Sequence, residues 1–374
     1  MDAQTKSIID PRLATEPHFF GKPRLEFRWE ALSPPTEEMW EAMRRASQSL
    51  GMASRGEDPI VQELTDYVAD LTGHERALLL PTTTICTTLG WQALDLRGTQ
   101  AIMEARCHHY WVEHLHVCAT SGAAPVLIMG DKFGAMPLDQ VEEAITRSYY
   151  AMVVPTGLIA LENTHNVCGG TCLTPEYTDD VAQLGQLHGV PVFLDGARIF
   201  NAAVALRVPV RRLTAQVDVL SLSLGKGVGA PFGAVLCGSA ELLERAEILA
   251  RRTGTLALHR AGIVAAAALA GLQTMESRLQ EDHRKARALA DKLSGIAGLA
   301  IDLDVVQTNF VRVNTTPSGL TAYELSQRFS QHGLAVHVVE PLVFKMIPNW
   351  STTYGEIDEA ASVIAEALRD VPSS

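Results

Sequence analysis

Short apolar runs recur along the middle of the chain, at 77–80, 101–103, 124–129, 152–154, 158–161, 190–194, 217–222 and 233–236. Between them lie longer amphipathic stretches, among them 138–147, 177–188 and 240–251. Runs this short and this apolar fit strands buried on both faces. Their alternation with helices predicts a mostly parallel sheet in an α/β domain. Near the N-terminus, Leu32-Ser33-Pro34-Pro35-Thr36 leads into a helix expected over 37–50. Thr36 or an adjacent residue caps it, and Glu37 and Glu38 complement the positive end of its dipole. After a long helical region at 264–293, the tail reads strand, helix, strand, helix at 310–313, 322–332, 335–339 and 356–368. A smaller α/β domain is expected there. The division predicted is a large domain over 56–280 and a small one formed by 1–55 and 281–374.

Composition narrows the class. With 374 residues, 47% of them apolar, the chain can bury two domain cores. A net charge of −12 argues against a nucleic-acid partner. No apolar run approaches the roughly 18 residues of a membrane span, and residues 1–7 are polar, without the apolar stretch of a signal peptide. A cytoplasmic protein is expected. Its six cysteines then read as free thiols. Cys168 and Cys172 lie close together but lack a second ligand pair, so no metal site is expected.

Parallel α/β sheets carry their functional groups past the carboxyl ends of the strands. Three such places stand out. The run at 190–194 ends in Asp195-Gly196-Ala197-Arg198, where a carboxylate past a buried strand calls for a positive partner. The run at 217–222 leads into Leu224-Gly225-Lys226-Gly227-Val228-Gly229, which sets a lysine between glycines on a tight backbone. The run at 77–80 leads through Pro81 to Thr82-Thr83-Thr84 and a helix, a combination suited to phosphate. Singly, Asp195 also reads as a helix cap, Lys226 as a loop lysine and the threonines as a loop. The glycines lack the GxGxxG spacing of a dinucleotide loop. Together the three match the demands of pyridoxal 5′-phosphate (PLP): an amine for the aldehyde, a carboxylate for the pyridine nitrogen and a helix start with hydroxyls for the phosphate.

Further motifs carry a resemblance. Arg55-Gly56-Glu57-Asp58-Pro59, Leu161-Glu162-Asn163-Thr164-His165-Asn166, the stretch from Asp195 to Ala202, Gly225-Lys226-Gly227-Val228-Gly229-Ala230-Pro231 and Gln307-Thr308-Asn309 occur in order over most of the chain. The chain resembles the L-threonine aldolase and β-eliminating lyase family of PLP enzymes. That resemblance implies an aspartate-aminotransferase-like fold of type I, with active sites shared in a homodimer or homotetramer. It implies that Lys226 holds PLP as a Schiff base, that Asp195 pairs with the ring nitrogen, and that Arg198 reaches the phenolic oxygen and the substrate carboxylate. Thr82, Thr83 and Thr84 take the phosphate positions. His108 takes the place of the imidazole that stacks on the ring, with Glu113 at the family spacing. His165 takes the histidine position near the substrate side chain, where it or a water it holds would act as the base. For His109, His114 and His116 a solvated helix face is expected.

The substrate end departs from the family. Arg28-Trp29-Glu30 stands where relatives carry Arg-Ser-Asp, Arg55 where they carry tyrosine, and Lys345 where they carry a carboxylate-clamping arginine. Lysine lacks arginine's bidentate fork. The stretch Thr255-Leu256-Ala257-Leu258-His259-Arg260 replaces a glycine-rich loop whose arginine reaches a neighbouring subunit's phosphate, a contact left to His259 or Arg260. A specialised lyase is expected, one that cleaves or forms the Cα–Cβ bond of a β-hydroxy-α-amino acid to give glycine and an aldehyde. Trp29, Arg55, Arg198 and Lys345 would meet the substrate. β-Elimination, racemisation or transamination of another amino acid is the alternative, and a non-catalytic assembly protein is the reading from a different class.

Overall fold

The computed structural model describes residues 23–113, 115–149 and 152–369; the polar start at 1–7 and His114 lie outside them. Seven strands form the central sheet: β1 (Arg76–Leu80), β2 (Gln100–Glu104), β3 (Ala124–Ile128), β4 (Thr156–Glu162), β5 (Val192–Gly196), β6 (Val219–Ser223) and β7 (Ala234–Gly238). Their order is β1-β7-β6-β5-β4-β2-β3. All neighbours run parallel except β7, which is antiparallel to both β6 and β1. Every residue of β5, β6 and β7 is buried, as continuous apolar runs require. β3 carries Pro125 and exposed positions, which an edge strand tolerates.

The run at 152–154 does not join this sheet. Met152–Val153 pairs antiparallel with Ser148–Tyr149 as a separate two-stranded piece. Met152 and Val154 are 67% and 54% exposed, so they stay outside the core. Helix α1 (Glu37–Ala46) starts as expected, with the Thr36 hydroxyl accepting the Met39 N–H at 3.4 Å, but it stops short of residue 50. Gln48 and Ser49 bond to carbonyls three residues back, which tightens the last turn. Gly51 then passes so close to Glu57 that a Cβ would lie 2.1 Å from its carbonyl oxygen.

The chain divides into two compact units. The larger takes in Pro34–Gln280, so residues 34–55 belong with it and not with the small domain. The reason is packing: Met39 and Met43 of α1 are buried in its core beside Leu64, Val68 and Leu272. Helices α2 (Thr83–Ala93), α3 (His108–Trp111), α4 (Ile199–Leu206) and α5 (Ala240–Thr253) also lie in this unit.

The smaller unit takes in the described residues up to Ser33 and those from Glu281 onward. The boundary falls inside the long helix α6 (Ala261–Ser294). This unit holds an antiparallel sheet of β8 (Val311–Asn314), β9 (His337–Glu340) and β10 (Val343–Met346), with β10 in the centre. Leu25–Glu26 pairs with Leu334–Ala335, and helices Ala322–Gln331 and Tyr354–Arg369 complete it. Phe27, Phe329, Phe344 and Leu289 fill its core.

Candidate active site

Because β1, β2, β4, β5 and β6 run the same way, their carboxyl ends share one edge of the sheet. Along that edge come the start of α2 after β1, the loop of Lys226 after β6, then Asp195, Glu162 and Glu104 on β5, β4 and β2. Glu162 is the register partner of Asp195, and Asp195 that of Ser221.

At the start of α2, the Thr82 hydroxyl accepts the Ile85 N–H at 3.2 Å and so serves as the cap. The N–H groups of Thr83 and Thr84 fall in the first turn and have no acceptor within the helix, which leaves them for an anion. The Thr84 hydroxyl donates to Glu113 Oε1 at 2.6 Å. Asp195 is buried, and its Oδ1 accepts the Ala197 N–H at 3.0 Å. Arg198, also buried, sits at the N-cap of α4. Lys226 is half-buried in a loop closed by three bonds: Gly229 N–H to the Lys226 carbonyl, Ala230 N–H to Leu224 and Leu224 N–H to Gly233, each 2.9 Å. A Cβ on Gly227 would stand 2.8 Å from Asn201 Oδ1, so the chain beside the lysine needs a glycine.

The three described histidines around α3 part company. His108 is half-buried, with its Nε2 3.4 Å from Glu113 Oε1, and its backbone N–H donates to Glu162 at 2.7 Å. His116 is exposed, as expected. His109 is not on a solvated face. It is 2% exposed and packs edge-on against Trp91 and at a tilt to Phe193. Burial raises the pKa of Glu113, but His108, His109 and Thr84 outweigh it and hold the carboxyl well below its ordinary value.

His165 is buried between Glu104, which meets its Nε2 at 3.0 Å, and the Cys168 N–H, which reaches its Nδ1 at 3.3 Å. Burial works against a charge on the ring, but Glu162 and Glu104 prevail and lift its pKa to about 10. Neutral, the ring gives its Nε2 proton to Glu104 and its Nδ1 lone pair to Cys168; charged, it has no lone pair. In neither state does it offer a free basic nitrogen, so the expected role of base does not suit this geometry. Burial would also raise Glu104, but His165 and Arg106 bring it down to about 2. Gly134, at φ +90°, lies against the ring: a Cβ there would fall 2.3 Å from His165 Cδ2.

In the smaller unit, Lys345 is buried on β10. Its Nζ lies 4.9 Å from the ring centre of Phe310 and 5.4 Å from that of Trp29, within cation–π range. Trp29 in turn sits 4.0 Å from the ring of His337. In the larger unit, His259 and Arg260 are exposed and line a groove of about 710 Å³ with residues 50–54. Arg55 follows, exposed, and its side chain meets no carboxylate among the described residues.

The structure thus links Thr84, His108 and Asp195 through Glu113 and His109, and it brings Trp29 and Lys345 together. Glu104, Glu162 and His109 were absent from the expected site. The two glutamates carry the same signal as Asp195, a carboxylate at the end of an apolar run. For His109 the sequence holds no such signal.

Comparison with known proteins settles the family. Residues 26–316 match the model of the beta-eliminating lyases. The chain belongs to that family. Low-specificity L-threonine aldolase 1 of Arabidopsis thaliana is 34% identical over 92% of this lyase-family chain and 96% of its own. The low specificity L-threonine aldolase of Escherichia coli K12 is 33% identical over 77% and 84%. Among solved structures, a threonine aldolase from Leishmania major superposes with a TM-score of 0.77 at 18% identity, covering 91% of this chain and 99% of that one. A serine palmitoyltransferase of Sphingomonas wittichii gives 0.70 at 17%, covering 90% and 84%. Likenesses this remote in sequence show the fold: the aspartate-aminotransferase-like fold type I, as anticipated.

Proposed function

We propose that this member of the family is a PLP-dependent aldehyde-lyase of the threonine-aldolase kind. It cleaves, or in reverse forms, the Cα–Cβ bond of a β-hydroxy-α-amino acid, giving glycine and an aldehyde. One observation carries the reading: a buried carboxylate, a lysine between glycines and a helix start with free N–H groups follow parallel strands to one sheet edge. Those are the partners that the ring nitrogen, the aldehyde and the phosphate of PLP need. PLP bound there supplies an electron sink for the bonding pair released at the substrate's α-carbon.

The residues divide the remaining work. Lys226, half-buried in its loop, would provide the amine for the cofactor's aldehyde. Asp195, held by the Ala197 N–H, keeps a proton on the ring nitrogen. The first turn of α2, with Thr82, Thr83 and Thr84, faces the phosphate. Arg198 serves the phenolic oxygen and the substrate carboxylate. His108 would lie against the cofactor's ring and, directly or through a water, would take the proton of the β-hydroxyl. Glu113 at 3.4 Å supports the charge this creates. His165, gripped by Glu104, orients the substrate side chain. The place of the family's carboxylate-clamping arginine falls to Lys345, set among aromatic rings with Trp29 at its edge, or to exposed Arg55. His259 and Arg260 reach the phosphate of a second copy, in a homodimer or homotetramer. Six buried cysteines, none in a disulfide, favour the reducing cytoplasm.

The test is product analysis. The protein loaded with PLP and given L-threonine, L-allo-threonine and bulkier β-hydroxy amino acids is expected to release glycine and the matching aldehyde. A 2-oxo acid with ammonia would replace this reading with β-elimination. A changed α-configuration alone would make the protein a racemase, and transfer of the amino group a transaminase.

A further inference from the structure

His109 is wholly buried, yet neither ring nitrogen has a hydrogen-bond partner, and Glu113 Oε2 lacks one too. Unsatisfied buried polar atoms are costly. These face one another: Nδ1 stands 3.5 Å from Glu113 Oε2, and Nε2 stands 3.8 Å from Asp195 Oδ2. Trp91 and Phe193 flank the ring, with centroids 5.8 Å away in each case, so its polar approaches are the two carboxylates. A movement of less than an ångström closes both gaps to hydrogen-bond length.

We propose that His109 is a positioning residue that bridges Asp195 and Glu113. It orients from behind the carboxylate serving the cofactor's ring nitrogen. Through Glu113 and the Thr84 hydroxyl it also ties that carboxylate to the helix start serving the phosphate. This rests on the assignment of Asp195 to the ring nitrogen. Electrostatics agree with the bridge: burial disfavours a charged ring, but Glu113, Asp195 and Glu162 outweigh it and raise the pKa of His109. Once protonated, the ring donates from both nitrogens. An apolar residue in its place would leave Glu113 Oε2 buried without any donor.

The test uses the full-length protein and its His109→Leu, His109→Gln and Asp195→Asn variants, with the His109→Leu/Asp195→Asn double variant. The dissociation constant for PLP is measured by fluorescence, and the visible absorption band is titrated with pH. Loss of a charge-assisted hydrogen bond is felt at roughly tenfold or more. His109→Leu is expected to weaken PLP by about that factor and to displace the titration of the visible band. Gln, which retains an N–H donor, should restore part of both. The double variant should be no weaker than Asp195→Asn alone, because the histidine acts through the aspartate. Wild-type affinity and titration in His109→Leu, or losses that multiply in the double variant, overturn the proposal. Should His109→Leu fail to melt cooperatively, His109→Gln decides: a displaced titration supports the bridge, and an unchanged one overturns it. If Asp195→Asn binds and titrates as wild type, the assignment of Asp195 falls and the bridge falls with it. If only the histidine variants are silent, the assignment stands without the bridge.

Discussion

Two regions bury charge in different surroundings. At the sheet edge of the larger unit, Glu104, Glu162, Glu113 and Asp195 are met by His165, His108, His109 and backbone N–H groups. In the smaller unit, Lys345 has the faces of Phe310 and Trp29 within 5.4 Å. The first solution is directional. Each hydrogen bond fixes an atom, and removing one partner strands another in a low-dielectric interior. Aromatic faces attract a cation over a broad surface and hold its position less tightly. On the proposed roles, the edge serves the cofactor and the aromatic pocket the substrate end. The departures at Trp29, Arg55 and Lys345 concern the second kind of task, and only the loop ending in His259 and Arg260 concerns the first.

Four experiments bear on that contrast. The largest effect is expected from Lys226→Ala: loss of at least roughly a thousandfold in kcat, read by glycine release, as for removal of a covalent nucleophile. Next comes the pair His108→Phe and His165→Phe. The former should lose about a hundred- to a thousandfold in kcat, as removal of a proton-transfer group does. The latter should change stability and its pH dependence. With the pKa of His165 raised to about 10 from 6.5, its contribution is complete below the ordinary value and fades as pH rises through 10. Glu104, lowered to about 2 from 4.5, contributes fully above its ordinary value and fades as pH falls through 2. Melting temperature should thus peak near mildly acidic pH and decline on the alkaline side, and His165→Phe should flatten that decline. Equal pH slopes in both proteins would show that the ring is neutral.

Gly134→Ala should act on the same side of the contrast. A Cβ 2.3 Å from the His165 ring, on a backbone at φ +90°, should cost about 1–3 kcal/mol in denaturant unfolding. The smallest effect belongs to the aromatic pocket. Lys345→Met keeps the volume and removes the charge, so KM should rise about tenfold while kcat and stability hold. A fall in stability as large as that of Gly134→Ala would show that the lysine is held as rigidly as the sheet edge.

Much of this was legible in the chain. Asp195, Lys226 and Thr82–Thr84 announce themselves because each follows an apolar run, and the direction of parallel strands then gathers them. Glu104 and Glu162 follow the same rule, but only the geometry shows that His165 and His108 lean on them. His109 is hidden for a physical reason. Helix α3 is four residues long, too short for a 3.6-residue period to separate an inner from an outer face, and Trp111 beside it is exposed. Strand β10 is hidden because Lys345 interrupts its apolar pattern while being buried itself. The 152–154 run shows the converse, an apolar pattern whose Met152 and Val154 stay exposed outside the central sheet.

The antiparallel strand β7 has a consequence for the order in which the site is built. Since β7 returns alongside β6, the lysine loop is the bend of a nearly local pairing, its ends joined by the Leu224–Gly233 bond. Contacts close in sequence form quickly, whereas distant ones wait on slow loop closure. The backbone around Lys226 can thus take shape from its own neighbourhood. The start of α2 cannot, because β1 reaches the sheet by pairing with β7, far along the chain. During folding, the seat of the amine should precede the seat of the phosphate, with hydrogen exchange slowing first across Val219–Gly238 and later at Arg76–Leu80.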